Sequence, residues 1–167
     1  MYNELTEVDI KKMKDELKER SNILRPKLSD DVKEARSLGD LSENAEYRSA
    51  KRAFCRNESR IRYLEKMIRT AKVISIDSAP DEVGLFDRIT VYYEDTGDCE
   101  DLTLSTMTRL DLEKGIICKD SSFGKAIIGK KVGDRILVQV NEDYSYFVVI
   151  KKIIKGQDDE SIPLTEY

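Results

Sequence analysis

From Tyr47 to Ala71, one side of the chain carries Tyr47, Ala50, Phe54, Asn57, Ile61, Leu64, Ile68 and Ala71, alternating steps of three and four without an error. That spacing is the a/d seam of a helix packed lengthwise against another helix, kept for about three and a half heptads. Asn57 in the seam costs stability but can fix the register. A partner lies upstream. Thr6, followed by Asp9, reads as a helix N-cap with an acid in the first turn. Ile10, Met13, Leu17 and Leu24 then keep helical spacing. Pro26 reads as a kink or a break. Beyond it Leu28, Val32 and Ala35 resume the series, shifted by one residue, up to Gly39, which suits a helix C′ position. The connection after Gly39 is short, so the two stretches are expected to fold back antiparallel as a hairpin over residues 1–76. A helical arm of roughly 35 residues reaches about 50 Å.

After Ile76 the texture changes. Asp77-Ser78-Ala79-Pro80-Asp81 reads as a linker. Runs rich in β-branched and aromatic residues follow at Ile89–Tyr93, Leu102–Thr106, Ile116–Cys118, Arg135–Val140 and Tyr146–Ile154. Phe123–Lys130 is a short helix candidate between strands. The fold class is therefore α+β, an N-terminal antiparallel coiled-coil hairpin followed by a small mixed domain over residues 77–155. Residues 156–167, with Gln157-Asp158-Asp159-Glu160-Ser161, read as an acidic, solvated and flexible tail.

Composition removes whole classes of chemistry. There is no histidine, so Ser-His and Cys-His nucleophile pairs and the usual zinc sites are excluded. Cys55, Cys99 and Cys118 are odd in number and form no CxxC pair, which points to a reducing compartment. No apolar run approaches the ~18 residues of a membrane span. The start MYNELTEVDIKKMK is acidic where an export signal needs basic and apolar segments, so a cytoplasmic location is expected. The net charge of −4 divides into +4 over residues 1–75 and −8 over the rest. The basic half can approach nucleic acid, but a partner must help the whole molecule do so.

The segment GDLSENAEY, Gly39 to Tyr47, puts Asp40, Glu43 and Glu46 at or beside the turn of the hairpin. Two readings compete there. Asp40 with Glu43 three residues on resembles a capping box, and acids at a helix N-terminus gain about 0.3–1 kcal/mol. Alternatively, carboxylates at the end of a thin rod can be delivered into another protein's metal centre, because Mg²⁺ is often held by one or two carboxylates plus substrate phosphates. Arg48, Arg52, Arg56 and Arg60 recur every four residues, with Lys51 beside them. A solvated charged face is the plain reading; phosphate contact along an RNA strand is the functional one.

The stretch EARSLGDLSENAEYRSAK, Glu34 to Lys51, closely resembles the tip of the bacterial Gre transcript-cleavage factors, the GreA/GreB family. The likeness extends through Leu5-Thr6, Arg25-Pro26, Ile61–Ile74 and SSFGKAIIGKKVGD, Ser121 to Asp134. It implies a coiled-coil hairpin and an FKBP-like second domain that docks on the rim of the bacterial RNA polymerase secondary channel. On that resemblance, Asp40 and Glu43, helped by Glu46, would assist the polymerase's Mg²⁺. The protein would bind no cofactor by itself, sharing Mg²⁺ with the polymerase active site. Arg48, Lys51, Arg52 and Arg56 would guide the extruded 3′ segment of backtracked RNA. Asp120, Ser121 and Ser122 would contact the polymerase. The resemblance further implies an accessory factor, monomeric, without enzymatic activity of its own and without a membrane partner. The acidic balance and modest basic patch look more like GreA than GreB.

Two departures stand out. Ser121-Ser122 replaces the family's usual Ser-Pro, which is expected to loosen that loop and lower polymerase affinity. The acidic tail is also longer than expected. A channel-binding regulator that inhibits without promoting cleavage remains an alternative, as do a prolyl isomerase suggested by fold alone and a plain helical scaffold.

Overall fold

The computed structural model describes residues 3–37, 45–158 and 161–165. The chain divides into two compact units: Ile10–Ala71, and the remainder before Ile10 and from Lys72 onward.

In the helical unit, α1 (Glu7–Glu19) runs through one π-helical turn (Arg20–Leu24) into α2 (Arg25–Ser37), and α3 (Ala45–Thr70) returns. Pro26 neither ends the helix nor stands at a break. It has no N–H to give the preceding turn, and the turn before it widens so that the Arg25 N–H reaches the Arg20 carbonyl five residues back. An i→i+5 turn takes in one extra residue. That extra residue is the one-position shift in the apolar series between Leu24 and Leu28. Asn57 of α3, 2% exposed, faces this turn. Its Nδ2 donates to the Arg20 carbonyl and its Oδ1 accepts from Arg20 Nη1, both at 3.4 Å. These are long bonds, but they satisfy a buried amide and set the helices' register.

Two bidentate pairs bracket that point. Arg60 donates to both Glu16 oxygens at 2.8 and 2.9 Å, and Arg25 to both Glu58 oxygens at 2.6 and 2.9 Å. Glu16 meets Arg60 while the later Arg25 meets the earlier Glu58, so the arms are antiparallel. Met13 and Ala35 on one arm and Ile61, Leu64 and Met67 on the other are buried, each large side chain gaining about 1.5–3 kcal/mol over exposure. Tyr47, Ala50 and Phe54 are only half-buried, and α3 has 26 residues.

The other unit holds a five-stranded sheet, built from β3 (Arg88–Tyr93), β4 (Cys99–Ser105), β5 (Ile116–Cys118), β6 (Arg135–Gln139) and β7 (Ser145–Ile154). Its order is β5-β4-β3-β7-β6, antiparallel except for the β4/β5 pair. Ile89 and Val91, Ile136 and Val138, and Val148 and Ile150 alternate onto one buried face, as a half-covered sheet requires. A short helix, α4 (Ser122–Ile127), adds Ile127 to that core. It is shorter than the expected Phe123–Lys130. The five strands fall within a few residues of the expected runs.

This unit also takes the chain's start. β1 (Glu4–Leu5) pairs in parallel with β2 (Lys72–Val73), so residues 3–9 belong here rather than with the hairpin. Thr6 and Asp9 cap α1 reciprocally, Thr6 Oγ1 accepting from Asp9 N at 3.2 Å and Asp9 Oδ2 from Thr6 N at 3.1 Å. Asp9 is at once the partner of Arg109, both side chains fully buried, through Nε at 2.5 Å. Thr106 Oγ1 donates to Asp9 Oδ2 at 3.0 Å, and Arg109 Nη2 to Thr6 Oγ1 at 3.3 Å. The Arg109 guanidinium also lies 4.9 Å from the Phe86 ring centroid.

The segment expected to be a flexible tail is instead held at its described residues. Gly156 N–H donates to Asp87 Oδ1 at 3.0 Å, and a Cβ there would lie 1.8 Å from the Phe86 carbonyl oxygen. Asp158 forms an ion pair with Arg109 Nη2 at 2.7 Å. Ile162 packs against the core, and Thr165 N donates to the Thr108 carbonyl at 2.7 Å. A buried cation and an apolar contact give this acidic stretch what its composition does not suggest.

Burial pushes the Glu16 carboxyl up, but hydrogen bonds from Arg60 and Arg20 outweigh it and leave its pKa below the usual 4.5. A carboxyl lowered on folding stabilises the fold above its unfolded pKa and loses that contribution as pH falls through the folded value. Glu16→Gln should therefore flatten the fall in thermal stability between about pH 5 and pH 3. Melting curves across that range check it; an unchanged slope would remove Glu16 from the acid sensitivity.

Candidate functional site

Asp40 and Glu43 lie outside the described residues. Glu46, the third acid, stands exposed in the first turn of α3, where the helix dipole favours a carboxylate. From it the basic residues run along the helix. Arg48, Arg52 and Arg56, four residues apart, and Lys51 beside Arg52 are all exposed on neighbouring turns. Arg52 Nε donates to the Arg48 carbonyl at 3.2 Å, and Lys51 Nζ lies 5.8 Å from the Tyr47 ring centroid. None of the four forms an ion pair among the described residues.

Arg60, the fourth rung of the sequence ladder, belongs elsewhere. Its bidentate bond to Glu16 leaves its side chain 10% exposed, so it ties the two arms together. The ladder is a three-arginine face with Lys51, and the i+12 residue is structural. Cys55 is exposed among these cations. Among the described residues no group of three His, Cys, Asp or Glu side chains is placed to hold a metal ion.

The second candidate surface is in the sheet unit. Asp120, Ser121 and Ser122 follow β5 and open α4. Ser121 is its N-cap, with Oγ accepting from Gly124 N at 2.9 Å while donating to the Cys118 carbonyl at 2.7 Å. Ser122 thus occupies the first helical position, where proline is favoured because its missing N–H costs nothing there. The Ser121 cap and the salt bridge of Lys119 to Asp120 at 2.9 Å are the contacts this loop makes around that position. Burial disfavours the Lys119 charge, yet its bonds to Glu4 and Asp120 raise its pKa overall. Gly124 is needed for close approach, since a Cβ would meet the Cys118 carbonyl at 2.2 Å.

These three residues edge a groove of about 710 Å³ whose walls include Met107, Leu110, Ile117, Phe123, Val138 and Tyr146. Leu112 and Val140, also on its border, are exposed large apolar residues. Burial raises the Cys118 thiol above its ordinary pKa, so the cysteine lines the groove as a small apolar group rather than a nucleophile. The structure brings Asp120, Ser121 and Ser122 together at one apolar concavity with a polar lip. The groove's walls come from four separate segments, and no local pattern in the sequence marks it.

The family described as transcription elongation factor, N-terminal, matches residues 3–73, and that described as transcription elongation factor, GreA/GreB, C-term, matches residues 77–155. Transcription elongation factor GreA of Bacillus licheniformis is 40% identical over 136 residues, 81% of this chain and 86% of its own length. The GreA of Mesoplasma florum is 35% identical over 151 residues, 89% and 96% of the two chains. The crystal structure of GreA factor homolog 1 (Gfh1) of Thermus thermophilus aligns with a TM-score of 0.40 at 20% identity, covering 91% of this chain and 98% of that one.

Removing the Ser121 cap should cost about 0.5–2 kcal/mol. Ser121→Ala is expected to lower the unfolding free energy by that amount and to speed amide exchange at Gly124. An unperturbed Gly124 amide would show that the cap does not hold the loop.

Proposed function

The chain belongs to the GreA/GreB family of transcription elongation factors, and from that premise we propose that it stimulates the RNA polymerase's own Mg²⁺-dependent cleavage of backtracked RNA. The observation that carries the reading is the tip sequence GDLSENAEY followed, on α3, by four exposed cations at Arg48, Lys51, Arg52 and Arg56 that form no ion pair among the described residues. Acids ahead of a cationic face suit a protein that must meet metal and phosphate together.

The donor set fits the ion. Asp40 and Glu43 supply hard carboxylate oxygens, which Mg²⁺ prefers, and two such ligands leave room for water and phosphate. When shared with the polymerase centre, the ion would help generate the attacking hydroxide and stabilise charge on the scissile phosphate. The chain's own residues do the remainder. Glu46 adds negative charge beside the tip. Arg48, Lys51, Arg52 and Arg56 hold the extruded 3′ RNA segment by its phosphates, a contact that positions without reading sequence. Asp120, Ser121 and Ser122, with the groove they edge, form the surface for the polymerase. An apolar concavity with a polar lip is the usual anatomy of a protein interface.

Asp40→Asn and Glu43→Gln are expected to abolish the release of short 3′ fragments from stalled, backtracked bacterial polymerase complexes while leaving binding unchanged. Arg52→Ala should weaken stimulation by roughly tenfold or less, with the deficit largest at low salt, because one phosphate contact fewer makes the salt dependence shallower. Retained cleavage in both tip variants would remove the metal role. Binding without cleavage by the unaltered protein would instead identify an inhibitory channel regulator.

A further inference from the structure

We infer that residues 156–158 and 161–165 clamp one wall of the Asp120–Ser122 groove in place, with Asp158 and Thr165 as the positioning residues. Its link to docking rests on the reading of that groove given above.

The wall in question is the stretch Thr106–Leu110, a short 3-10 turn at Met107–Arg109 between β4 and the next turn. Met107 and Leu110 point to the groove's lining, while Thr106, Thr108 and Arg109 are buried behind it. A three-residue turn has no ladder of its own to hold it, and its fixity must come from what its buried side chains and carbonyls meet. From one side they meet the start of α1: Asp9 takes Thr106 Oγ1 and Arg109 Nε. From the other they meet Asp158 and Thr165. Asp158 pairs with Arg109 Nη2 at 2.7 Å, Thr165 N donates to the Thr108 carbonyl at 2.7 Å, and Thr165 Oγ1 donates to the Leu110 carbonyl at 3.0 Å.

The segment is built to be there. It enters past the Phe86 carbonyl at a distance only glycine permits, with Gly156 N–H on Asp87. Ile162 packs on the sheet core. The Asp158 contact is a charge contact rather than an aligned hydrogen bond, since its Oδ1 finds no hydrogen-bond partner. Arg109 is already neutralised by Asp9, so Asp158 adds a second carboxylate to one cation. The wall is therefore held from one side by Asp9 and from the other by Asp158 and Thr165.

Amide hydrogen exchange on the free protein tests the clamp, with three variants: Asp158→Asn, Thr165→Val and a chain ending at Gln157. Exchange across 106–110 should rise about tenfold in the shortened chain and about threefold in each point variant, with β3 and β7 unchanged, the signature of local opening. Titration against bacterial polymerase should then need several-fold more of each variant for half-saturation, with the cleavage rate at saturation unaltered. Unchanged exchange across 106–110 overturns the clamp. Exchange raised equally in β3 and β7 overturns positioning in favour of general stability. Raised local exchange with unchanged half-saturation overturns the role at the groove. If the shortened chain does not fold, the two point variants carry the same comparison. Failure of the unaltered protein to bind polymerase overturns the docking reading alone, and exchange still decides the clamp.

Discussion

Arg109 is the constraint around which the sheet unit is arranged. A guanidinium with no exposure must find opposite charge and hydrogen-bond acceptors, because leaving it unpaired costs several kcal/mol. Those partners come from the beginning of the chain, Thr6 and Asp9, and from near its end, Asp158. Swapping such a buried pair for apolar residues is often neutral, while removing one partner costs about 3–5 kcal/mol. The pair is better understood as specifying an arrangement than as adding stability. It decides where the first turn of α1 begins, since the Asp9 that meets Arg109 is the same residue that closes the helix cap.

The hairpin solves a different problem. Two helices side by side bury a narrow seam, too little to fix the register strongly where Tyr47, Ala50 and Phe54 are half-exposed. Near Arg20 the seam is supplemented by directional bonds: the Asn57 amide on the π-turn, and the Arg60–Glu16 and Arg25–Glu58 forks on either side. Bidentate pairs are geometrically exacting in a way that Leu–Ile contacts are not. Register therefore concentrates around the π-turn, and the face beyond it toward Ala45 carries cations that form no ion pair among the described residues.

Much of this was legible beforehand, and for physical reasons. The α3 seam and the strand alternation are periodic, and periodicity survives in sequence because each period matches one backbone geometry. The Thr6–Asp9 cap was legible because it is local. The π-turn was half-legible: the one-residue slip was visible, but a proline suggests a kink, a break or a bulge equally well. Partnerships across a hundred residues were not legible. Nothing near Arg109 marks it as a buried cation, nothing near Arg60 separates it from Arg56, and an acidic stretch such as 156–160 looks solvated until its counter-charge is known. The same holds for the groove, assembled from segments that share no local pattern.

The distance along the chain between Asp9 and Arg109 has a consequence for the order in which a newly made molecule takes shape. The two are 100 residues apart, so at ~5–20 residues per second Asp9 waits roughly 5–20 s on the ribosome for its partner. The helices pair through nearer neighbours and need no such wait. β1 must idle until β2 is made, and Asp158 can close on Arg109 only after all seven described strands exist. The contact that seals the Met107–Leu110 wall is thus made after the strands it lies against, and a molecule shortened ahead of Asp158 would possess those strands yet lack its fastening.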